Sequence, residues 1–374
     1  MAAAVAVLQH APGYTDADYY YAVALRIAGG EGLTDAFLWH FLGDFPDIVH
    51  PSHSFWMPLT SLIAGAGMVI LGDVSYWAAR LPFLIAAGFI PVLTAKLAWE
   101  ITADKETSKT AGWLACFSGF YLPFLPVTDT FTPLLLLGSG YFIVLSARRK
   151  TKRAFWMGLI CGGIHLTRAE GLIWVILASI VLLMQKETRG KEILMLAAGY
   201  LMLMSPLMIR NSLAFGGILG KGSLRTLWLT DYNQLFVYPP ELINFQSWWE
   251  QGLGEILQER LGALVFNLQT AGVVQGQIFL LPLIVWGGWK YRSCDAVAAG
   301  GAAWLSLLGM MSLVFPHPGI RGSFFHAGAA LQPLIWACAA AGIKAFFSWG
   351  KVHRSWELHR ARRVLGTGII FLAA

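Results

Sequence analysis

The chain has 374 residues, of which 56% are hydrophobic and only 13% charged, where a soluble domain carries about 25% charged residues. Apolar runs of roughly fifteen to twenty-five residues recur along most of its length, which excludes a soluble globular protein and marks a polytopic helical membrane protein. The net charge of +6 calls for no nucleic-acid partner, because basic residues of membrane proteins gather in cytoplasmic loops.

Residues 1–9 are apolar, too short to span, and lack the basic start of a signal peptide. Residues 364–374 begin a hydrophobic segment that stops before it could cross, so both termini read as truncated. Thr15 opens an amphipathic helix running to about Ala28, closed by Gly29-Gly30, and 32–53 is loop. Residues 54–72 are apolar, but are placed along the interface or as a dip that returns. Spans follow at 80–100, 110–125 and 131–147, with a charged turn at 104–109 and the polar turn Val127-Thr128-Asp129-Thr130 after Pro123 and Pro126. Arg148-Arg149-Lys150-Thr151-Lys152-Arg153 is the strongest topological mark.

Residues 154–184 are apolar but interrupted by Thr167-Arg168-Ala169-Glu170, and Lys186, Arg189 and Lys191 form another basic loop. The span at 193–209 is kinked or ended near Pro206 and closed by Arg210-Asn211. The polar stretch 212–275 contains an interfacial helix over 245–268 carrying Trp248 and Trp249. Three hydrophobic segments at 276–290, 294–315 and 327–347 follow, with a loop reading HPGIRGSFFH between the last two, and then a basic amphipathic piece at 351–363. Cys116, Cys161, Cys294 and Cys338 lie in or at the ends of apolar segments and read as small hydrophobes. There is no internal repeat.

The basic loops set the sidedness. Placing 148–153, 186–191, 290–292 and 351–363 inside requires 154–184 to be two short spans with Arg168 at the outer turn. Each half offers roughly 22 Å of helix against a core of about 30 Å, so that turn should be recessed. The same alternation puts 104–109 inside, and Asp129, Arg210, the 212–275 loop and Arg321 outside. The 12–79 loop shares that outer side only if 54–72 does not cross. The expected architecture is all-α, one membrane-embedded unit over 1–374, with about nine to eleven transmembrane helices and outer juxtamembrane helices.

The outer loops concentrate polar chemistry. The first holds Asp16, Asp18, Asp35, Asp44 and Asp47 with His40, His50 and His53. Thr15 and Asp18 fit a capping box, whereas Asp16 has no such duty and suits a general base at the membrane surface. Asp129 is either an N-cap or a second acidic contributor. His50 and His53 are three apart, but without an evident third ligand no metal is expected there. Arg168 is costly at membrane depth unless paired; Glu170 is one partner and a lipid-linked phosphate the other. Arg210 and Arg321 are further outer arginines against the charge rule. One anionic ligand explains all three.

An acid pair opening the first outer loop, a His-Pro element, an Asp at the second outer turn and a P-x-x-x-R-N helix end occur here together over about residues 10–215. In this the sequence resembles the GT-C glycosyltransferases, specifically the family 39 type that includes dolichyl-phosphate-mannose protein mannosyltransferases and bacterial aminoarabinose transferases. The family usually shows Asp-Glu where this chain has Asp16-Ala17-Asp18, and His-Pro-Pro where it has His50-Pro51-Ser52.

The resemblance implies a polyprenyl-phosphate sugar donor, an acceptor still unknown and an inverting displacement with a first-loop Asp as base. It also implies a multi-pass plasma-membrane protein whose site faces the extracytoplasmic side. Asp16, Asp18 and Asp129 are the candidate catalytic residues, and Arg168, Arg210 and Arg321 the candidate phosphate ligands. His50, His53, Glu170 and Asn211 are candidate substrate-loop residues, and no cofactor is certain, a divalent metal being possible but not expected. The competing reading is a transporter or flippase for an anionic or lipid-linked substrate. It would show inverted repeats and charges at the membrane midplane, whereas here the polar groups cluster on one face.

Overall fold

A computed structural model describes residues 1–43, 45, 47–146, 152–184, 190–220 and 222–373. Asp44, Arg148, Arg149, Lys150, Lys186 and Arg189 of the sequence reading lie outside the described residues.

Helix α1 (Ala2–Leu8) leads to α2 (Thr15–Ala28), which buries Ala17, Tyr19, Tyr20, Val23 and Ala24. Gly29 and Gly30 end it, the latter at a φ of 80° that glycine adopts without strain. The expected capping box is absent: Tyr14 is the N-cap, no side chain caps the helix, and the Asp18 N–H donates to Tyr14 O at 2.9 Å. Thr15 is already the first helical residue, one position too late to cap.

The connection to α3 (Leu59–Leu71) is pinned by a two-stranded antiparallel pair, β1 (Thr34–Asp35) and β2 (His50–Pro51). α3 has 13 residues, about 20 Å, shorter than a bilayer core of about 30 Å. It lies against α2, where a side chain at Gly65 would crowd Ile27.

α4 (Tyr76–Thr102) is capped by Ser75, whose hydroxyl accepts from Ala78 N at 3.2 Å, and carries Pro82 and Pro91 inside it. α5 (Lys105–Phe117), capped by Asp104, is only 13 residues. The regular span expected over 110–125 stops there, because Ser118 and Gly119 turn left-handed and a 3-10 segment takes the chain through Pro123. α6 (Phe131–Ser146) follows the Asp129 turn.

The 154–184 stretch is two helices, α7 (Arg153–Thr167) and α8 (Leu172–Met184), broken where Arg168 is extended at φ −151°, ψ 143°. α9 (Gly190–Phe215) runs unbroken through Pro206, Arg210 and Asn211, where an end was expected. Its packing on α7 holds it: side chains at Gly158 and Gly199 would overlap the carbonyls of Leu196 and Phe155, so the two backbones touch as small residues permit.

The 245–268 helix is divided into α10 (Phe245–Glu250) and α11 (Leu253–Thr270) by Gly252 at φ 84°. α12 (Leu281–Lys290) and α13 (Asp295–Gly309) follow, α13 continuing as a wide turn to Val314. The HPGIRGSFFH stretch is not a loop. It coils through α14 (Pro316–Pro318) and α15 (Phe324–Gly328), bent by 64° from α16 (Gln332–Arg354). α17 (Leu358–Ala361) and α18 (Thr367–Ala373) end the described chain.

By length and composition α4, α9 and α13 with its continuation can each cross a membrane, and the bent 316–354 pair makes a fourth. Leu59–Leu71, Phe131–Ser146 and Ala169–Met184 are shorter apolar helices. The main core gathers Phe131, Tyr141, Phe142, Trp174 and Trp336, all 1% exposed or less. At one end of the bundle Lys344 pairs with Asp104 at 2.7 Å, and Arg153 lies 4.0 Å from Asp295. Asp16, Asp129, Arg168 and Arg321 gather elsewhere, beside α15.

Gly199→Leu should destabilise the protein by about 1–3 kcal/mol through overpacking of the α7–α9 contact, read as a lower midpoint in detergent denaturation. Gly88→Ala, with open space around it, should be neutral or stabilising.

Candidate functional site

The site is built where helices start, break or bend. Asp16 stands in the first turn of α2, Asp129 in the turn before α6, Arg168 in the α7–α8 break, and Arg321 and His326 around the kink at Gly322 (φ 114°). Thr128 ties two of these together, its hydroxyl donating to Ala17 O at 3.0 Å.

Asp129 is 1% exposed and saturated with donors. Its Oδ2 accepts from the Tyr14 hydroxyl and faces His326 Nε2 at 3.1 Å, and its Oδ1 accepts from Thr130 N. His326 Nδ1 lies 2.9 Å from Gly322 O. A carbonyl only accepts, so Nδ1 carries a proton, and the Nε2 contact shares one proton with Asp129. The imidazole stacks on Phe131 with ring centroids 4.2 Å apart.

Asp16 is the contrasting acid. Its Oδ2 lies 3.8 Å from His326 Nε2 and its side chain keeps 23% of its surface exposed. Burial raises the Asp16 carboxyl above its ordinary value and Asp129 adds to that, against the pull of His326 and Arg168. Burial would raise Asp129 too, but His326 and its hydrogen bonds hold it below the usual carboxylate range. Two acids pushed apart in this way divide into a fixed anion and a proton acceptor.

Asp16 opens onto a cavity of about 200 Å³, lined also by Phe55, Trp56, Arg168, Tyr232, Arg321 and Ser323. Arg168 has its Nε bonded to Glu170, and the pair is at most 10% exposed. Arg321 lies over the Tyr232 ring at 5.4 Å. Asp18 is exposed and does not line the cavity.

The remaining candidates form a second polar cluster. Tyr19 donates to Asp35 at 3.1 Å and accepts from His53 N at 2.9 Å. Arg210, expected on a phosphate, instead donates to Leu33 O at 3.0 Å and Asn211 Oδ1 at 3.0 Å, and its guanidinium covers Phe215. Asn211 Nδ2 holds Ile218 O at 3.2 Å. His50 sits in β2 stacked on Phe45, with Nδ1 3.2 Å from Pro51 O, and His53 is 3% exposed. Arg210, His50 and His53 brace the first loop, and Asn211 ties Arg210 to the loop after α9.

Among the described residues no three His, Cys, Asp or Glu side chains are arranged to hold a metal. Tyr14, His326 and Tyr232 were missed by the sequence reading. His326 was in view within HPGIRGSFFH, but only the helical turn that sets it against Gly322 and Asp129 distinguishes it.

Breaking the buried pair should be costly. His326→Gln should lose about 3–5 kcal/mol by leaving the Asp129 charge unpaired, and adding Asp129→Asn should restore at least half of it, as measured by denaturation of both variants. A pH effect is also expected. Burial pushes the Asp35 carboxyl up to about 7, despite the Tyr19 hydrogen bond, Arg210 and Arg26. Between about pH 4 and 7 the folded chain then binds more protons than the unfolded one, so Asp35 costs stability as pH rises through that window, on the order of 3 kcal/mol. Asp35→Asn should flatten the melting temperature over that range.

No family model matches the chain, and no curated protein matches it. Solved structures do. The apo oligosaccharyltransferase of Archaeoglobus fulgidus is 13% identical with a TM-score of 0.58, over 100% of this chain and 54% of that one. The same organism's oligosaccharyltransferase AglB, in complex with an inhibitory peptide and a dolichol-phosphate, is 13% identical with a TM-score of 0.56, over 96% and 50%. Its complex with Zn and sulfate is 13% identical with a TM-score of 0.57, over 100% and 52%. The chain thus spans about half the length of these structures, and over that half it has their fold, the GT-C architecture that the sequence resemblance implies.

Proposed function

We propose that the chain is a membrane glycosyltransferase of the GT-C family 39 type, moving a sugar from a polyprenyl-phosphate donor to an acceptor hydroxyl. The reaction would run on the extracytoplasmic face of the plasma membrane. The observation that carries this reading is the cavity that Asp16, Arg168 and Arg321 line together. The dolichol-phosphate described with the archaeal oligosaccharyltransferase supports a lipid phosphate as the anion.

The chemistry balances on these residues. The acceptor oxygen forms a bond to the anomeric carbon as its proton passes to Asp16. The bond from that carbon to the phosphate oxygen breaks, and its electron pair leaves with the polyprenyl phosphate. Arg168 and Arg321 stabilise the charge that grows there. Asp16, raised by burial, is a stronger proton acceptor than an ordinary carboxylate. Asp129, saturated by Tyr14, Thr130 and His326, holds the centre rather than taking the proton.

The fold relative is described with Zn. Here His326 Nε2 lies between the two carboxylates and its hydrogen bond engages Asp129, and among the described residues no three His, Cys, Asp or Glu side chains are placed to hold a metal.

Purified protein given radiolabelled polyprenyl-phosphate sugars should release polyprenyl phosphate and label an acceptor. Asp16→Asn should lower turnover by roughly 10²–10⁴-fold with donor binding kept, and Asp18→Asn by far less. Arg168→Lys keeps the charge but loses the planar fork, and should weaken donor binding. Donor that binds and is never cleaved would instead favour a lipid carrier without chemistry.

A further inference from the structure

The opposite, basic end of the bundle holds a second cavity, of about 180 Å³, that the transfer reaction does not use. α7 and α9 run parallel, since Gly158 meets Leu196 while Gly162 meets Tyr200 and Leu203 further along both helices. Their glycine contacts therefore bring two helix N-termini side by side. The first residues of both, Arg153 and Ala154 of α7 with Lys191 and Glu192 of α9, line the cavity together with Lys152. The N-cap of α7, Lys152, makes no side-chain cap hydrogen bond, and the positive end of a helix N-terminus favours an anion.

A second observation points the same way. Arg153 is 8% exposed, and its Nη2 is committed to Leu145 O at 2.6 Å, with Asp295 at 4.0 Å. Its Nε is buried with no hydrogen-bond partner among the described residues. A guanidinium nitrogen left so is costly unless something accepts from it. Lys152, Arg153 and Lys191 stand against one lining carboxylate, Glu192. Leu183 and Leu194, each next in sequence to a lining residue, Leu182 and Met195, are 67% and 70% exposed, apolar surface that suits acyl chains better than water.

We infer that this end binds the phosphate of an anionic phospholipid headgroup, with Lys152, Arg153 and Lys191 and the α7 N-terminus on the phosphate and the acyl chains over Leu183 and Leu194. Two helix dipoles acting on one group strengthen the attraction beyond that of the lysines alone. Under the sidedness proposed above this end faces the cytoplasm, where anionic lipids and basic juxtamembrane residues meet. The assignment does not depend on the transfer reaction.

The test is lipid retention by the intact chain. Protein in mixed micelles of detergent with phosphatidylglycerol or phosphatidylcholine is examined by native mass spectrometry and by thermal melting. Phosphatidylglycerol should be retained and raise the melting temperature, and phosphatidylcholine should do neither. Lys152→Ala/Lys191→Ala, both at exposed positions, should weaken retention tenfold or more, whereas Lys290→Ala/Arg292→Ala should leave it unchanged. Equal loss in both double variants would mean diffuse charge attraction and overturn the site, as would equal retention of the two lipids. Stabilisation by millimolar inorganic phosphate as large as that by phosphatidylglycerol would overturn the lipid assignment in favour of a free-anion site.

Discussion

One end of the fold depends on one buried carboxylate. Asp129 can be ionised inside the protein only because Tyr14, Thr130 and His326 all face it, and those partners come from the start of α2, the turn before α6 and α15. Satisfying this anion therefore fixes three distant parts of the chain at once. The same contacts leave His326 Nε2 within 3.8 Å of Asp16. Burial first raises the proton affinity of the more exposed acid, and His326 and Asp129 then pull on it in opposite directions, as expected of a polar network in a low-dielectric setting.

Local signals carried much of the architecture. The helix opened by Thr15 and closed at Ala28 has those bounds in the structure, because glycines at its end and apolar spacing along it are local facts. The break at Arg168 was also readable, since two spans of half length were the only way to keep the basic loops on one side. Signals that depend on a neighbour misled. Pro206 reads as a kink or a helix end in isolation, and Arg210-Asn211 as the close of the helix, yet α9 passes through all three, held on α7 by Gly158 and Gly199. In lipid a proline is tolerated where neighbouring helices support the freed backbone groups.

The site was readable by residue type and not by partner. Asp16, Arg168 and Arg321 share a cavity, but Arg210 has the same exceptional placement in the sequence and is not among its lining residues, its guanidinium lying on Leu33 O near Asp35 and His53. Charge bookkeeping by sidedness cannot separate an arginine that faces a cavity from one that braces a loop. His326 and Asp129 are 197 residues apart, and no periodicity or spacing records a contact of that range. Tyr232 comes from the large loop between α9 and α10, where no pattern marked it.

Irregular backbone explains why these residues meet where they do. Non-helical segments at membrane depth persist only when buried in protein or lining a polar cavity, because lipid cannot satisfy their N–H and C=O groups. This chain has several such interruptions at one end: the extended Arg168, the Val127-to-Thr130 turn, and the Gly322 kink. Each would be costly alone against lipid. Gathered around a single polar cavity, their backbone groups and the charged side chains they carry can be satisfied together. The breaks that weaken individual helices are then the means by which Arg168, Asp129 and His326 reach the interior. A continuous helix through 153–184 would remove the extended turn that presents Arg168 to that cavity.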